Sequence, residues 1–252
     1  MKGQKNHSKD GIKTVEIYKI DGVGVNLERF HPVSEKEKSD LRKHLGFSEK
    51  DFIITVVAEL NKNKNQIKLV CAVPELSKLI PNLKILLIGK ETLPTVRNFV
   101  ENRHLEPTVK FLGYRCDIDK LTMISDIAFS ASLREGLPVN IIEAMACGLP
   151  VVASDNRGHR SLVKDKETGF IFNPASEKEM IDAIILLYKN PALRAEMGRR
   201  NVIEAKKYSV NIAVEKMSEI YGDVIFSENW GGYKSRVILR LSPCILKIKE
   251  AA

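Results

Sequence analysis

Cysteine is scarce in this chain, aromatic residues are few, and no apolar run is long. The four cysteines, at 71, 116, 147 and 244, lack the paired spacing of a disulfide framework or a zinc site. They read as the reduced thiols of a cytoplasmic protein. Aromatic residues make up 6% of the chain, and no nucleic-acid motif sets them among the lysines, which argues against a nucleic-acid partner. No stretch approaches the roughly 18 apolar residues of a membrane helix. The start, Met1-Lys2-Gly3-Gln4-Lys5-Asn6-His7, is polar and basic with no apolar region after it, so no secretory leader is expected. The five histidines, at 7, 31, 44, 104 and 159, show neither metal-ligand nor triad spacing, and no internal repeat is visible.

Hydrophobic residues at 44% and charged residues at 29% indicate a globular chain with a sizeable core, one large domain or two small ones. Lysine and arginine number 40 against 32 acidic residues, a formal charge of +8 that suits anionic ligands: nucleotide or lipid diphosphates, or anionic membrane surfaces. Most of this charge also fits a plain lysine-rich surface.

Apolar runs rich in β-branched residues recur at Val15–Ile20, Phe52–Val57, Lys84–Ile88, Thr108–Leu112, Ile127–Ser130 and Pro150–Ala153. Segments of helical period lie between them, at Glu35–Leu45, Asn65–Leu79, Leu93–His104, Asp119–Ile124 and Val139–Cys147. Strands alternating with helices predict an α/β fold, a Rossmann-like doubly wound parallel sheet. Pro74 should break or kink the second helix. After Gly169–Phe172, a short strand or turn, three helices are expected at Ser176–Lys189, Pro191–Lys207 and Val210–Phe226.

The most informative stretch is Arg134 to Ala153, which reads as loop, helix, tight stop and strand. Pro138, with a preset φ and no N–H, suits the first turn of a helix running to about Cys147. Gly148 supplies the left-handed stop, and Pro150 leads into an apolar strand. Free N–H groups and the positive dipole end make such a helix start an anion site, most commonly for phosphate. Glu135 stands just before the helix and Glu143 about one turn in, so both can face a ligand seated there. Ionised carboxylates accept well from sugar O–H groups.

This Glu-x7-Glu element, followed by Ala-Met-Ala-Cys-Gly-Leu-Pro-Val-Val-Ala-Ser and Asp155-Asn156-Arg157-Gly158, resembles glycosyltransferase family 4, retaining enzymes of GT-B architecture, and within it the capsule and exopolysaccharide subgroup. The resemblance covers roughly Gly22 to Tyr221. It implies a donor-binding domain for a nucleotide-diphosphate sugar, uridine being the expected base. It further implies that Glu135 contacts donor-sugar hydroxyls, that the backbone around Gly136, Leu137, Pro138 and Val139 holds the diphosphate through its amides, and that Glu143 contacts the ribose. No cofactor is implied beyond the substrate itself.

The family pattern carries an arginine at a strand end and a lysine five residues later. Lys64 fits the lysine position, and Glu59 occupies the arginine position. Glu59 is expected to turn away from a diphosphate or to pair with Lys62, because a like charge at about 4 Å costs some 4 kcal/mol at an effective dielectric near 20. Lys64 and Glu135 are the catalytic candidates. Gly89, at the end of an apolar strand, would let a ligand approach backbone. Arg115, after Gly113-Tyr114, is placed by the resemblance near the nucleobase, a surface arginine being the other reading. Asp117-Ile118-Asp119 could chelate a divalent metal, but it opens a helical segment, so Asp117 is expected to cap that helix. No metal site is assigned. His159 could face the active cleft, but the favoured reading is a loop histidine without a role.

Family members are about twice this domain's size, with an acceptor-binding domain ahead of a linker like Gly22-Val23-Gly24-Val25. Only about twenty residues precede that linker here. Residues 1–24 therefore read as a remnant of an N-terminal domain and linker, 25–226 as the donor-binding domain, and 227–252 as a tail unlike the family. The tail mixes basic and apolar residues over Trp230–Lys249, which fits either a membrane-surface segment, against Pro243, or an unrelated extension. The implied activity is a retaining hexosyltransferase acting on a glycan or lipid-diphosphate-linked acceptor, the acceptor half coming from a partner chain if the enzyme is split. A non-catalytic nucleotide-sugar-binding fragment is the second reading, and a GT-B epimerase a third.

Overall fold

The computed structural model describes residues 24–226 together with residues 4, 5, 16, 17, 20 and 22. Two short strands, β1 (Gln4–Lys5) and β2 (Glu16–Ile17), pair antiparallel. The run expected at Val15–Ile20 thus contributes its strand residues to this pair and not to the main sheet. The Trp230–Lys249 segment lies outside the described residues.

From residue 24 the order is α1 (Glu35–His44), β3 (Phe52–Val57), α2 (Ile67–Cys71), α3 (Val73–Leu79), β4 (Leu83–Ile88), α4 (Thr95–Asn102), β5 (Val109–Gly113), α5 (Ile118–Met123) and β6 (Ile127–Ser130). It continues with α6 (Val139–Ala146), β7 (Val151–Ser154), α7 (Arg157–Leu162), β8 (Gly169–Phe172), α8 (Glu177–Lys189), α9 (Pro191–Ala205), a 3-10 turn (Lys206–Tyr208) and α10 (Val210–Phe226). The six strands from β3 onward form one parallel sheet in the order β5-β4-β3-β6-β7-β8. The chain runs outward from β3 to one edge, then returns to lay β6 on its other side. This reversal makes the carboxyl ends of β3 and β6 the crevice where open α/β sheets take ligands.

The sheet is covered on both faces, as its unbroken apolar strands require. Along β3 the two-residue period divides Phe52, Ile54 and Val56 from Ile53. The first three join a core with α2, α3, α4, α8 and α9, and Ile53 joins Leu121 and Ile124 of the opposite layer. Helix α6 packs its Ile141, Ile142 and Met145 beneath β6 and β7.

Local chemistry sets the boundaries. Ser34, Asn156, Ser176 and Asn190 each accept a first-turn N–H of α1, α7, α8 and α9. Pro74 divides the expected second helix: α2 stops at Cys71, and Pro74 takes the second position of α3, where no N–H is needed. Gly148 adopts φ +78 after α6. Gly198 of α9 packs against that turn, where an added Cβ would stand 2.2 Å from Gly148 O.

Buried Arg42 laces the amino edge of the sheet. It donates twice to Ile124 O, to the carbonyls of Glu49 and Asp51, and to Asp126 Oδ2 at 2.8 Å; Asp126 Oδ2 also accepts from Ile53 N. Val25 N donates to Tyr208 O and Val25 O accepts from Val210 N, so the segment leading into the domain runs beside the turn that closes it.

Candidate donor site

The carboxyl edge of the sheet gathers most of the sequence's candidates. After β3 the chain makes a tight loop. Asn61 Oδ1 accepts from Lys64 N at 2.9 Å, Asn65 takes φ +51, and buried Gln66 donates from Nε2 to Glu59 O at 2.9 Å. The loop after β6 is stitched to it: Leu133 N donates to Asn63 O at 2.8 Å, and Asn63 Nδ2 donates to Arg134 O at 3.1 Å. The consequence is direct. Lys64 Nζ meets Glu135 Oε1 at 2.5 Å, with the lysine 24% and the glutamate 12% exposed. The two residues picked as catalytic, 71 positions apart, form one ion pair.

Helix α6 begins at their side. Pro138 occupies the cap position in an extended conformation, so Val139 and not Pro138 opens the helix. No side chain caps it. Ile141 and Ile142 donate back to Pro138 O, and among the described residues the N–H groups of Val139 and Asn140 have no acceptor. Asn140 Nδ2 instead donates to Val57 O at 2.8 Å, pinning the helix start to the end of β3. The result is a pair of outward amides, a cation and a carboxylate at the topological switch point. A carboxylate offers two oxygens and an ammonium three N–H groups. With Oε1 and one N–H joined, Oε2 is left for sugar hydroxyls and two N–H groups for phosphate oxygens.

Glu143 lies one turn in, and burial pushes its carboxyl up to about 7, nearby Arg29 drawing it down and Asp119 pushing it up. Arg29 donates to Asp119 Oδ1 at 2.9 Å and also to Cys116 O. Sequence reasoning missed Arg29, because nothing local to it announces a partner 90 residues away.

Several expectations change. Of the two outcomes expected for Glu59, the ion pair with Lys62 is not formed: Glu59 is exposed and accepts from Asn61 Nδ2 at 3.2 Å. Arg115 is forked onto Asp117, at 2.8 and 2.6 Å, so its guanidinium is engaged and exposed Tyr114 is the free side chain at that turn. For the same reason Asp117 holds the cap position of α5 without capping it, and the arginine keeps its carboxylate below the usual range. Asp117 and Asp119 are thus held by different arginines. Gly89 is explained from within the protein: at φ +150, a Cβ there would stand 2.1 Å from Ala58 O.

His159 corrects the loop reading. It lies inside α7, fully buried. Its Nδ1 lies 2.7 Å from Ser154 O and 2.9 Å from Asn156 Nδ2, and burial lowers its pKa. Ser154 Oγ and Asn156 Nδ2 both donate to Ser132 O, so the ends of β6 and β7 are tied just behind Glu135. Gly158 sits against Glu135 itself, where a Cβ would stand 2.6 Å from the glutamate's Cβ. Asn156 was the available signal for α7, obscured by the helix's short length and its glycine.

A hollow of about 530 Å³ lies at the opposite edge, between Met123, Leu149 and Arg194. Its cations are already satisfied, Lys38 by Asp126 and Arg194 by the carbonyls of Leu187 and Tyr188.

Comparison with known proteins agrees with this fold. Residues 37–203 match the family model described as Glycosyl transferases group 1. The chain is 39% identical over 204 residues to a putative glycosyltransferase EpsD of Bacillus subtilis (strain 168), covering 81% of this chain and 54% of that protein. It is 28% identical to a UDP-Gal:alpha-D-GlcNAc-diphosphoundecaprenol alpha-1,3-galactosyltransferase of Escherichia coli, with the same coverage on both sides. The crystal structure of Anabaena Alr3699/HepE in complex with UDP and glucose superposes with a TM-score of 0.72 at 25% identity, over 79% of this chain and 55% of that one. The chain thus spans about half the length of the relatives it matches. A parallel sheet in doubly wound order, a helix start left open at its switch point and a family match across both loops lead to one assignment: this chain belongs to the group 1 glycosyl transferases, with the Rossmann-like fold of GT-B enzymes.

Proposed function

We propose that residues 25–226 are the donor-binding half of a retaining, family 4 glycosyltransferase that moves a hexose from a uridine-diphosphate sugar to a glycan or lipid-diphosphate-linked acceptor during polysaccharide synthesis at the cytoplasmic membrane face. The observation that carries this reading is the Lys64–Glu135 pair set against the open start of α6. The diphosphate sits on the amides around Gly136–Val139 and on Lys64, the sugar's hydroxyls on Glu135, and the ribose on Glu143, with the Gly89 and Arg115 turns forming the rim towards the base.

In the reaction, the bond from the anomeric carbon to the diphosphate oxygen breaks, and its electron pair leaves with the diphosphate. Lys64 and the helix amides stabilise that charge as it develops, so they act on the transition state more than on the bound donor. The acceptor hydroxyl adds from the same face and gives its proton to the departing oxygen. No side chain here is placed as a nucleophile. The acceptor-binding half supplies the remaining cleft. A relative named for transfer to a diphospho-undecaprenol-linked sugar supports this acceptor class.

The alternative, a nucleotide-sugar-binding fragment without turnover, shares the site and differs only in activity. Calorimetry with UDP and a UDP-sugar tests the shared reading. Binding of UDP is expected, together with an affinity increment for the sugar that Glu135→Ala abolishes. No heat at millimolar UDP from a folded sample would reject the site.

A further inference from the structure

Arg134 and Arg157 are exposed and have no partner among the described residues. Every other arginine described there donates to a carboxylate or a carbonyl, or lies over an aromatic ring. The two exceptions are neighbours. Arg134 precedes Glu135 and Arg157 precedes Gly158, and a Cβ on Gly158 would stand 2.8 Å from both the carbonyl carbon and the oxygen of Glu135. The missing side chain lets the β6 and β7 loops close on each other, so that residues 134 and 157 stand on neighbouring segments at the carboxyl edge of the sheet. The Asn63 bonds to Leu133 and Arg134 bring the loop of Lys64 alongside.

This placement is electrostatically unfavourable within the protein. Arg157 is the first residue of α7, where the helix dipole disfavours a cation. The nearby acid Asp155 is paired with Arg160 at 3.0 Å, and Glu135 is taken by Lys64. Two like charges on neighbouring segments, with no counter-charge among the described residues, form a local field that favours an anion from outside. The guanidinium fork matches the oxygens of a phosphate two at a time.

We propose that Arg134 and Arg157 form a clamp for a diphosphate beside Glu135, in addition to the amides of α6. The proposal rests on the reading of the donor site above and deepens it. Two molecules can bring a diphosphate there. One is the nucleotide donor, for which the clamp supplies the positive charge that Glu59 does not. The other is an acceptor carrying a prenyl diphosphate. The recognition chemistry is the same for both.

The test compares Arg134→Ala/Arg157→Ala with a charge-matched control, Lys36→Ala/Lys50→Ala, which removes two exposed lysines that hold no ion pair among the described residues. Each protein is titrated with UDP and, once saturated with UDP, with geranyl diphosphate. The clamp variant is expected to lose at least about tenfold in one of the two titrations, the lower end for a lost charge-assisted hydrogen bond. Its affinity there should also depend less on salt, and the control should change little in either. Loss in the UDP titration assigns the clamp to the donor, and loss in the geranyl diphosphate titration assigns it to the acceptor. Unchanged affinity in both, with UDP still bound, overturns the clamp and leaves the donor site standing. Should the wild type fail to bind UDP, the functional reading falls, and inorganic pyrophosphate then decides the clamp alone. Equal affinity of wild type and clamp variant for pyrophosphate overturns it, and weaker binding by the variant upholds it.

Discussion

Replacing Glu143 with glutamine keeps the shape of the side chain and removes its titration. Burial holds the folded carboxyl near 7, against an ordinary value of 4.5. At about 1.36 kcal/mol per pH unit this amounts to about 3 kcal/mol, an upper figure because the side chain is only partly buried. The sign follows from the direction. A carboxyl raised on folding keeps its proton longer in the folded state, so its contribution to stability is complete below about 4.5 and is lost as pH rises through 7. Glu143→Gln and wild type should therefore differ by a constant near pH 4.5. By pH 8.5 the variant should have gained up to about 3 kcal/mol relative to wild type. Urea unfolding at pH 4.5, 7 and 8.5, at fixed ionic strength, measures the difference. An offset that does not change with pH would refute the reasoning. Function should run the other way: ionised Glu143 is the better acceptor for ribose hydroxyls, so the glutamine variant should bind UDP more weakly by roughly 1–3 kcal/mol at pH 8. A residue whose removal stabilises the fold and weakens the ligand is serving the ligand.

Gly158→Ala should displace Glu135, because its new methyl would overlap that residue's backbone; calorimetry should show UDP bound nearly as before and the sugar increment lost, and a retained increment would disprove the packing argument. Glu59→Arg should tighten UDP by about 1–2 kcal/mol by placing a fork where an acid now stands, and unchanged affinity in the folded variant would withdraw position 59 from the site. Arg42→Met should lower stability by about 3–5 kcal/mol, as expected for a buried charge network that loses one partner and leaves Asp126 and three carbonyl oxygens short of a donor; urea unfolding would show it, with UDP affinity unchanged.

Much of this was legible in the sequence because the signals were local. The β3 and β6 boundaries follow from apolar runs bounded by turn residues, and the division at Pro74 follows from a missing N–H. The site was legible as a motif, since Glu135, the α6 start and Glu143 fall within nine residues. What sequence could not supply were relations across the fold. The Lys64–Glu135 pair depends on Asn63 bonding to the β6 loop, and Arg29 reaches Asp119 only once α5 is in place. Arg115 and Asp117 were read separately, as base partner and helix cap, when the two side chains also bond each other. His159 looked idle in a loop because six residues carrying a glycine and two arginines hold too little apolar period to show a helix.

A crystal structure of the chain with UDP tests the central claim most directly. The account predicts the terminal phosphate within hydrogen-bond distance, about 2.7–3.1 Å, of the Val139 and Asn140 N–H groups and of Lys64 Nζ, with the ribose against Glu143. UDP seated elsewhere, for instance in the hollow beside Met123 and Arg194 at the amino edge of the sheet, would contradict it.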